Sequence, residues 1–188
     1  MPRTLLAALI ALSLTAAPAH AQLGASLGFR SLTDERPTAT DRDRRGFEGR
    51  LHYARDQWGA FGWQAELIGS QMRAQRDDGL SRYKVSENSL ELAALLRGRL
   101  VNGALAGAYA LGGPVASWRV VCGASGQPST WCDERDDRGT GYVLGLGYQS
   151  PLTPRRDLIF ELRYYDGIVA GASSPILSLS LGLVVADR

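Results

Sequence analysis

The sequence is poor in the residues that build chemical centres. It holds two cysteines and two histidines in 188 residues. His20 falls in the apolar N-terminal stretch, so His52 is alone in the remainder. A structural zinc site takes about four Cys or His ligands. Acyl-transfer machinery takes a nucleophile held against a base, usually histidine. The sequence therefore predicts no enzyme, no catalytic residue, no metal site and no cofactor. Beyond residue 21 no apolar run approaches the ~20 residues of a membrane helix. The formal charge is only +2, too little to point to nucleic acid as a partner.

What is present starts with a targeting signal. Met1-Pro2-Arg3 is a short basic segment, and 4–17 is mostly Leu, Ala and Ile. Ala19-His20-Ala21 fits the A-x-A cleavage rule. Residues 1–21 are expected to be a signal peptide cut after Ala21. Gln22 follows, and no cysteine stands there to take a lipid. In an exported chain the pair Cys122 and Cys132 is expected to be a disulfide.

Residues 22–188 alternate. In 157–167, DLIFELRYYDG, Leu158, Phe160, Leu162 and Tyr164 share one side, while Ile159, Glu161, Arg163 and Tyr165 share the other. That is the period of a strand. The pattern recurs over 22–31, 46–55, 61–70, 88–100, 104–113, 139–148, 158–165 and 176–185. The Leu- and Ala-rich stretch 88–100 would also suit a helix by propensity, and its alternation assigns it to a strand. The connections have a rhythm. Those at 32–45, 71–85 and 114–138 are long and polar, and 166–175 is a loop of small residues. Those at 56–60, 101–103 and 149–156 are short, the second carrying the hairpin dipeptide Asn102-Gly103. Eight consecutive strands without helices predict an all-β fold, an eight-stranded antiparallel up-and-down transmembrane barrel. Long loops on one side and short turns on the other are the habit of outer-membrane barrels.

The two faces differ in kind. One holds the leucines with Phe29, Phe47, Tyr53, Phe61, Trp63, Phe160 and Tyr164. The other holds Glu48, Arg50, Glu66, Glu91, Arg97, Arg99, Glu161 and Arg163 with glycine and serine. In a membrane barrel the charged face lines the lumen, where four acids and four arginines are expected to pair, since a lone buried charge is costly. A soluble periplasmic lipocalin-like barrel would invert this, enclosing the leucines around an apolar ligand. Alternation fits both arrangements. Export, the loop rhythm and aromatics near strand ends favour the membrane.

Several motifs carry a family resemblance. They are 46–49 (GFEG), 63–67 (WQAEL), 89–92 (SLEL) with 95–97 (LLR), 139–148, and 161–164 (ELRY). On these the chain resembles the bacterial outer-membrane protein beta-barrel domain, often labelled porin family. The resemblance spans nearly all of 22–188 and implies an eight-stranded outer-membrane barrel. Many such barrels have proline where this chain has Ala93, and many end on an aromatic where this chain has Ala186-Asp187-Arg188.

The expected function is that of a small integral outer-membrane barrel with a charge-filled lumen and little or no channel activity. It would be a monomer whose partners are outer-membrane lipid and the barrel-insertion machinery. A second expectation is a surface-binding module working through loop 114–138. There Trp118 and Trp131 are candidate anchors beside the cysteine pair, because tryptophan and arginine often anchor interfaces.

Overall fold

The computed structural model describes residues 21–32, 41–58, 60–77, 82–100, 102–125, 132, 137–167 and 175–186. Eight strands run in order: β1 (Ala21–Leu32), β2 (Asp41–Trp58), β3 (Phe61–Asp77), β4 (Arg82–Arg99), β5 (Ala108–Ser125), β6 (Arg138–Thr153), β7 (Arg156–Asp166) and β8 (Ile176–Ala186). Each pairs antiparallel with its sequence neighbour, and β1 pairs with β8 to close the barrel. Closure leaves no continuous sheet edge. The residues of the expected signal peptide up to 20 lie outside the described residues.

The ladder also gives the stagger. From Phe29 one row of partners leads through Phe47 and Gln71 to Asn88 of β4. In the other direction it leads through Leu179, Leu162, Leu146 and Ala110 to Gly98 of the same strand, ten positions further along. A barrel with such an offset has strongly tilted strands, roughly 40° from its axis.

The alternation becomes an inside and an outside. Leu27 is 76% exposed, Leu96 70%, Phe47 68% and Leu146 65%, while Glu161 and Arg163 are 1% exposed. The leucines and aromatics thus form an outward band around the wall. Phe29 and Phe47 meet edge to face at 5.7 Å, and Tyr142 and Tyr164 lie 6.5 Å apart near the same end. Tyr53 and Trp63 lie 5.4 Å apart near the opposite end. Two aromatic zones therefore flank the aliphatic band. The inverted arrangement, leucines enclosed and charges in water, is not the one observed.

Several boundaries differ from the sequence expectation. The three long connections are shorter, because β2 begins at Asp41, β3 continues to Asp77, and β4 begins at Arg82. Loop 114–138 is corrected most, since 114–125 belongs to β5. The extensions 41–45 and 71–77 are mostly polar in sequence and lack the alternation that marks a half-apolar strand, while in 114–125 the alternation is broken by a register shift. The Asn-Gly dipeptide does not make a two-residue hairpin. The connection opens to Gly107, whose N–H donates to the Leu100 carbonyl at 3.0 Å, while Leu100 N–H donates to Ala108 at 2.8 Å. Gly103 and Gly107 both take positive φ, 89° and 99°, a region that glycine enters without steric cost.

Candidate functional site

The lumen holds the densest chemistry. Successive inward positions of β1, β2, β3, β7 and β8 carry Arg30, Glu48, Arg50, His52, Glu66, Glu161, Arg163, Ser178 and Ser180, all buried. From β4 comes Glu91, also buried. The side chains form one connected chain. Glu91 accepts two bonds from the Arg30 guanidinium, the longer at 2.8 Å, and a third from Ser70 at 3.0 Å. Arg30 Nε pairs with Glu48, which also accepts from Ser178 at 2.6 Å and lies 3.0 Å from Arg50 Nε. Arg50 donates to Ser180 and, at 2.7 Å, to Glu161. Glu161 accepts from Arg163 at 2.7 Å and from the Tyr109 hydroxyl at 2.5 Å. Arg163 donates onward to Glu66 at 2.7 Å, and Gln64 completes that carboxylate. Bonds between ionised groups are the strong ones, and bidentate Arg–carboxylate pairs fix geometry as well. Here they join strands on opposite sides of the barrel.

All four glutamates named from the sequence sit in this chain, with Arg50 and Arg163. Arg97 and Arg99 do not meet its carboxylates. Arg97 is buried, stacks 4.0 Å over the Tyr109 ring and donates to Gln149 at 2.6 Å. Arg99 sits near the short-turn end and pairs with Asp56 at 2.8 Å, both side chains partly exposed. Arg30 takes the place left to them, 4.7 Å over the Tyr165 ring and held by Glu48 and Glu91. Its alternation with Leu27 and Phe29 already put it on the charged face. What the sequence does not carry is the pairing across the lumen. His52 is buried against Gly24, at a place a side chain there would fill.

The remaining interior is apolar. Ile68, Ala93, Leu95, Tyr109, Leu111, Val115, Val143, Tyr165 and Ile176 form one buried cluster. Leu95 and Leu111 thus point inward, unlike most leucines. Gly147 opposite lets the Tyr109 ring lie against the wall, where any Cβ would collide with it.

The second candidate was the cysteine region. Cys122 and Cys132 form a disulfide, their Cα atoms 5.8 Å apart. A β-bulge sets this up. Ser89 pairs with Arg119 and Asn88 with Val121, so Val120 is the extra residue. That extra residue shifts the alternation by one and turns Cys122 from the outer to the inner side. Arg119 donates to Asp137 at 2.7 Å and to the Cys132 carbonyl at 3.1 Å, fastening the same corner. Trp118 stands on β5 opposite Leu90 and Arg138, half-buried, rather than in a loop. Trp131 lies outside the described residues. Among the described residues no group of three or more His, Cys, Asp or Glu is placed to hold a metal.

No family model matches the chain, so the porin-family label is not carried further, and no curated protein matches it in sequence. Solved structures do match in fold. The outer membrane protein OprG from Pseudomonas aeruginosa superposes with a TM-score of 0.61 at 10% identity, covering 89% of this chain and 96% of its own. The attachment invasion locus protein Ail of Yersinia pestis, in complex with the heparin analogue sucrose octasulfate, gives 0.52 at 12% identity over 90% of this chain and 99% of its own. The outer membrane protein AlkL in lipid bilayers gives 0.50 at 14% identity over 93% of both chains. The fold is that of small eight-stranded outer-membrane barrels.

Proposed function

We propose that this chain is an integral outer-membrane barrel that acts as a structural or surface element and conducts little or nothing through its lumen. The observation that carries the reading is the inversion of polarity. The closed wall exposes a continuous Leu and aromatic band and buries its Glu and Arg side chains. In water that exposure would be an association hazard far beyond an ordinary apolar patch, and against hydrocarbon it is the favourable state. The band runs between aromatic zones, where amphipathic rings sit at the headgroup level. The long connections then face outward from the cell and both termini face the periplasm, consistent with export by cleavage after Ala21 and delivery by the insertion machinery. A monomer suffices, because a closed barrel leaves no edge to pair.

An eight-stranded lumen is just filled by side chains, and here cross-barrel ion pairs and an apolar cluster fill it. Fractionation of cells making the full chain tests the location. The protein should stay in the outer-membrane pellet through high salt and carbonate and come out only with detergent. Recovery in an osmotic-shock extract would refute the reading. Planar bilayers test the lumen, where reconstituted monomer should show no stable nanosiemens steps.

A further inference from the structure

We propose that Asn102 is a site of spontaneous covalent modification, converting in the folded barrel to isoaspartate and aspartate through a cyclic imide formed with Gly103. The chain has two asparagines, Asn88 and Asn102, and the fold puts them in opposite settings. Asn102 and Gly103 stand exposed in the connection from β4 to β5, followed by exposed Ala104, Leu105 and Ala106. A two-residue hairpin would have clamped the pair between ladder bonds, and the observed connection is wider. It is closed by Leu100 N–H to the Ala108 carbonyl at 2.8 Å and by Gly107 N–H to the Leu100 carbonyl at 3.0 Å. Inside it the Gly103 carbonyl accepts from Ala106 N–H at 3.1 Å, while the Gly103 nitrogen donates to no backbone carbonyl among the described residues.

That nitrogen is the nucleophile. It attacks Cγ of Asn102, the new N–Cγ bond closes a five-membered imide, and the Cγ–Nδ2 bond breaks. The proton lost from the Gly103 nitrogen leaves with the amide as ammonia. Water, the only co-reactant, then adds to either ring carbonyl. Opening at Cγ gives aspartate, and opening at the Asn102 main-chain carbonyl leaves the chain running through Cγ as isoaspartate. Glycine at 103 leaves the attacking nitrogen uncrowded, and its φ of 89° lies in a region that it alone enters freely. The fold adds no obstacle, since even an added Cβ there would meet nothing within 4 Å. Asn88 is the contrast. It is half-buried, with its Oδ1 shielded from water, and its backbone is laddered to Gln71 on one side and Val121 on the other. Ring closure there requires the strand to open first. Only the Ala106 bond of those named passes through Gly103, so the barrel outlasts the change. Each event leaves one permanent carboxylate at the short-turn end, whichever side of a membrane that end faces, and the converted fraction records the age of the folded chain.

The test holds the full exported chain, folded in detergent, in mildly alkaline buffer and maps digests over time by mass spectrometry. Fragmentation by electron transfer separates isoaspartate from aspartate, and zero-time samples subtract what digestion adds. The Asn102 peptide should exchange its amide for a carboxylate and appear mainly as isoaspartate. Its initial rate should exceed that of Asn88 by at least about tenfold, the factor that each 1.4 kcal/mol of strand opening imposes. Unfolding in urea should speed Asn88 and leave Asn102 nearly unchanged. Asn102→Gln should keep its amide, because its imide needs a larger ring. An Asn102 that stays an amide in the folded protein, or converts only in urea, overturns the proposal. Equal loss from the two asparagines in the folded protein overturns it as well.

Discussion

The lumen has two unlike walls. β7, β8 and β1 to β3 supply most of its buried ionised and hydroxyl groups, while β4 to β6 supply Ala93, Leu95, Leu111, Val115 and Val143, with Glu91 and Arg97 as the fully buried charges among the described residues and Tyr109 and Ser117 as hydroxyls. Both walls bury their side chains, but by different physics. The apolar wall is held by shape and by exclusion from water. The charged wall is stable only as a complete set, because each carboxylate has been taken out of water and repaid by named partners. The contrast teaches where this barrel is brittle. A charged position fails when its partner is lost, whereas an apolar one fails in proportion to the space left behind.

Breaking the charged wall should have the largest effect. Glu161→Leu leaves Arg50, Arg163 and the Tyr109 hydroxyl without their shared acceptor. It should cost about 3–5 kcal/mol, the range for orphaning a buried partner, as measured by urea unfolding in lipid vesicles. Leu111→Ala on the apolar wall should cost about 2–4 kcal/mol by the same measurement, set by the cavity. Gly147→Ala pushes against the Tyr109 ring and should cost about 1–3 kcal/mol as overpacking, and trimming the ring with Tyr109→Leu should relieve part of it. The smallest effect belongs to the rim. The Arg99–Asp56 pair is partly exposed, so Arg99→Ala should cost under about 1 kcal/mol. If Arg99→Ala matched Glu161→Leu, the two-wall distinction would be lost.

Much of this was legible in the chain. Leu158 to Tyr165 and Leu177 to Val185 alternate cleanly because one side meets an apolar surround and the other does not. In β4 the same alternation overrode a composition that suits a helix. Legibility stopped where the two sides of a strand share one environment. Asp41 to Arg45 and Arg73 to Asp77 are mostly polar in sequence, without alternation, and read as loop, although the ladder continues through them. It stopped again where size replaces polarity. Leu111, on the larger-residue side of its strand with Leu105 and Tyr109, looks like an outward leucine until the barrel closes around it, whereas Leu95 shares its side with Glu91 and Arg97. Pairing across the lumen was out of reach altogether, since Arg30 finds Glu91 sixty-one residues away. The bulge at Val120, which aims Cys122, leaves no mark in the local pattern either.

The most direct test of the inverted polarity is the collision accessibility of a nitroxide attached at Leu146→Cys, in the middle of β6, with the native disulfide kept. In lipid vesicles it should relax strongly with dissolved oxygen and hardly at all with a water-soluble nickel chelate, the signature of hydrocarbon. Strong relaxation by the chelate would place Leu146 in water, and weak relaxation by both would place it in a packed interior. Either result contradicts a barrel whose leucines face lipid.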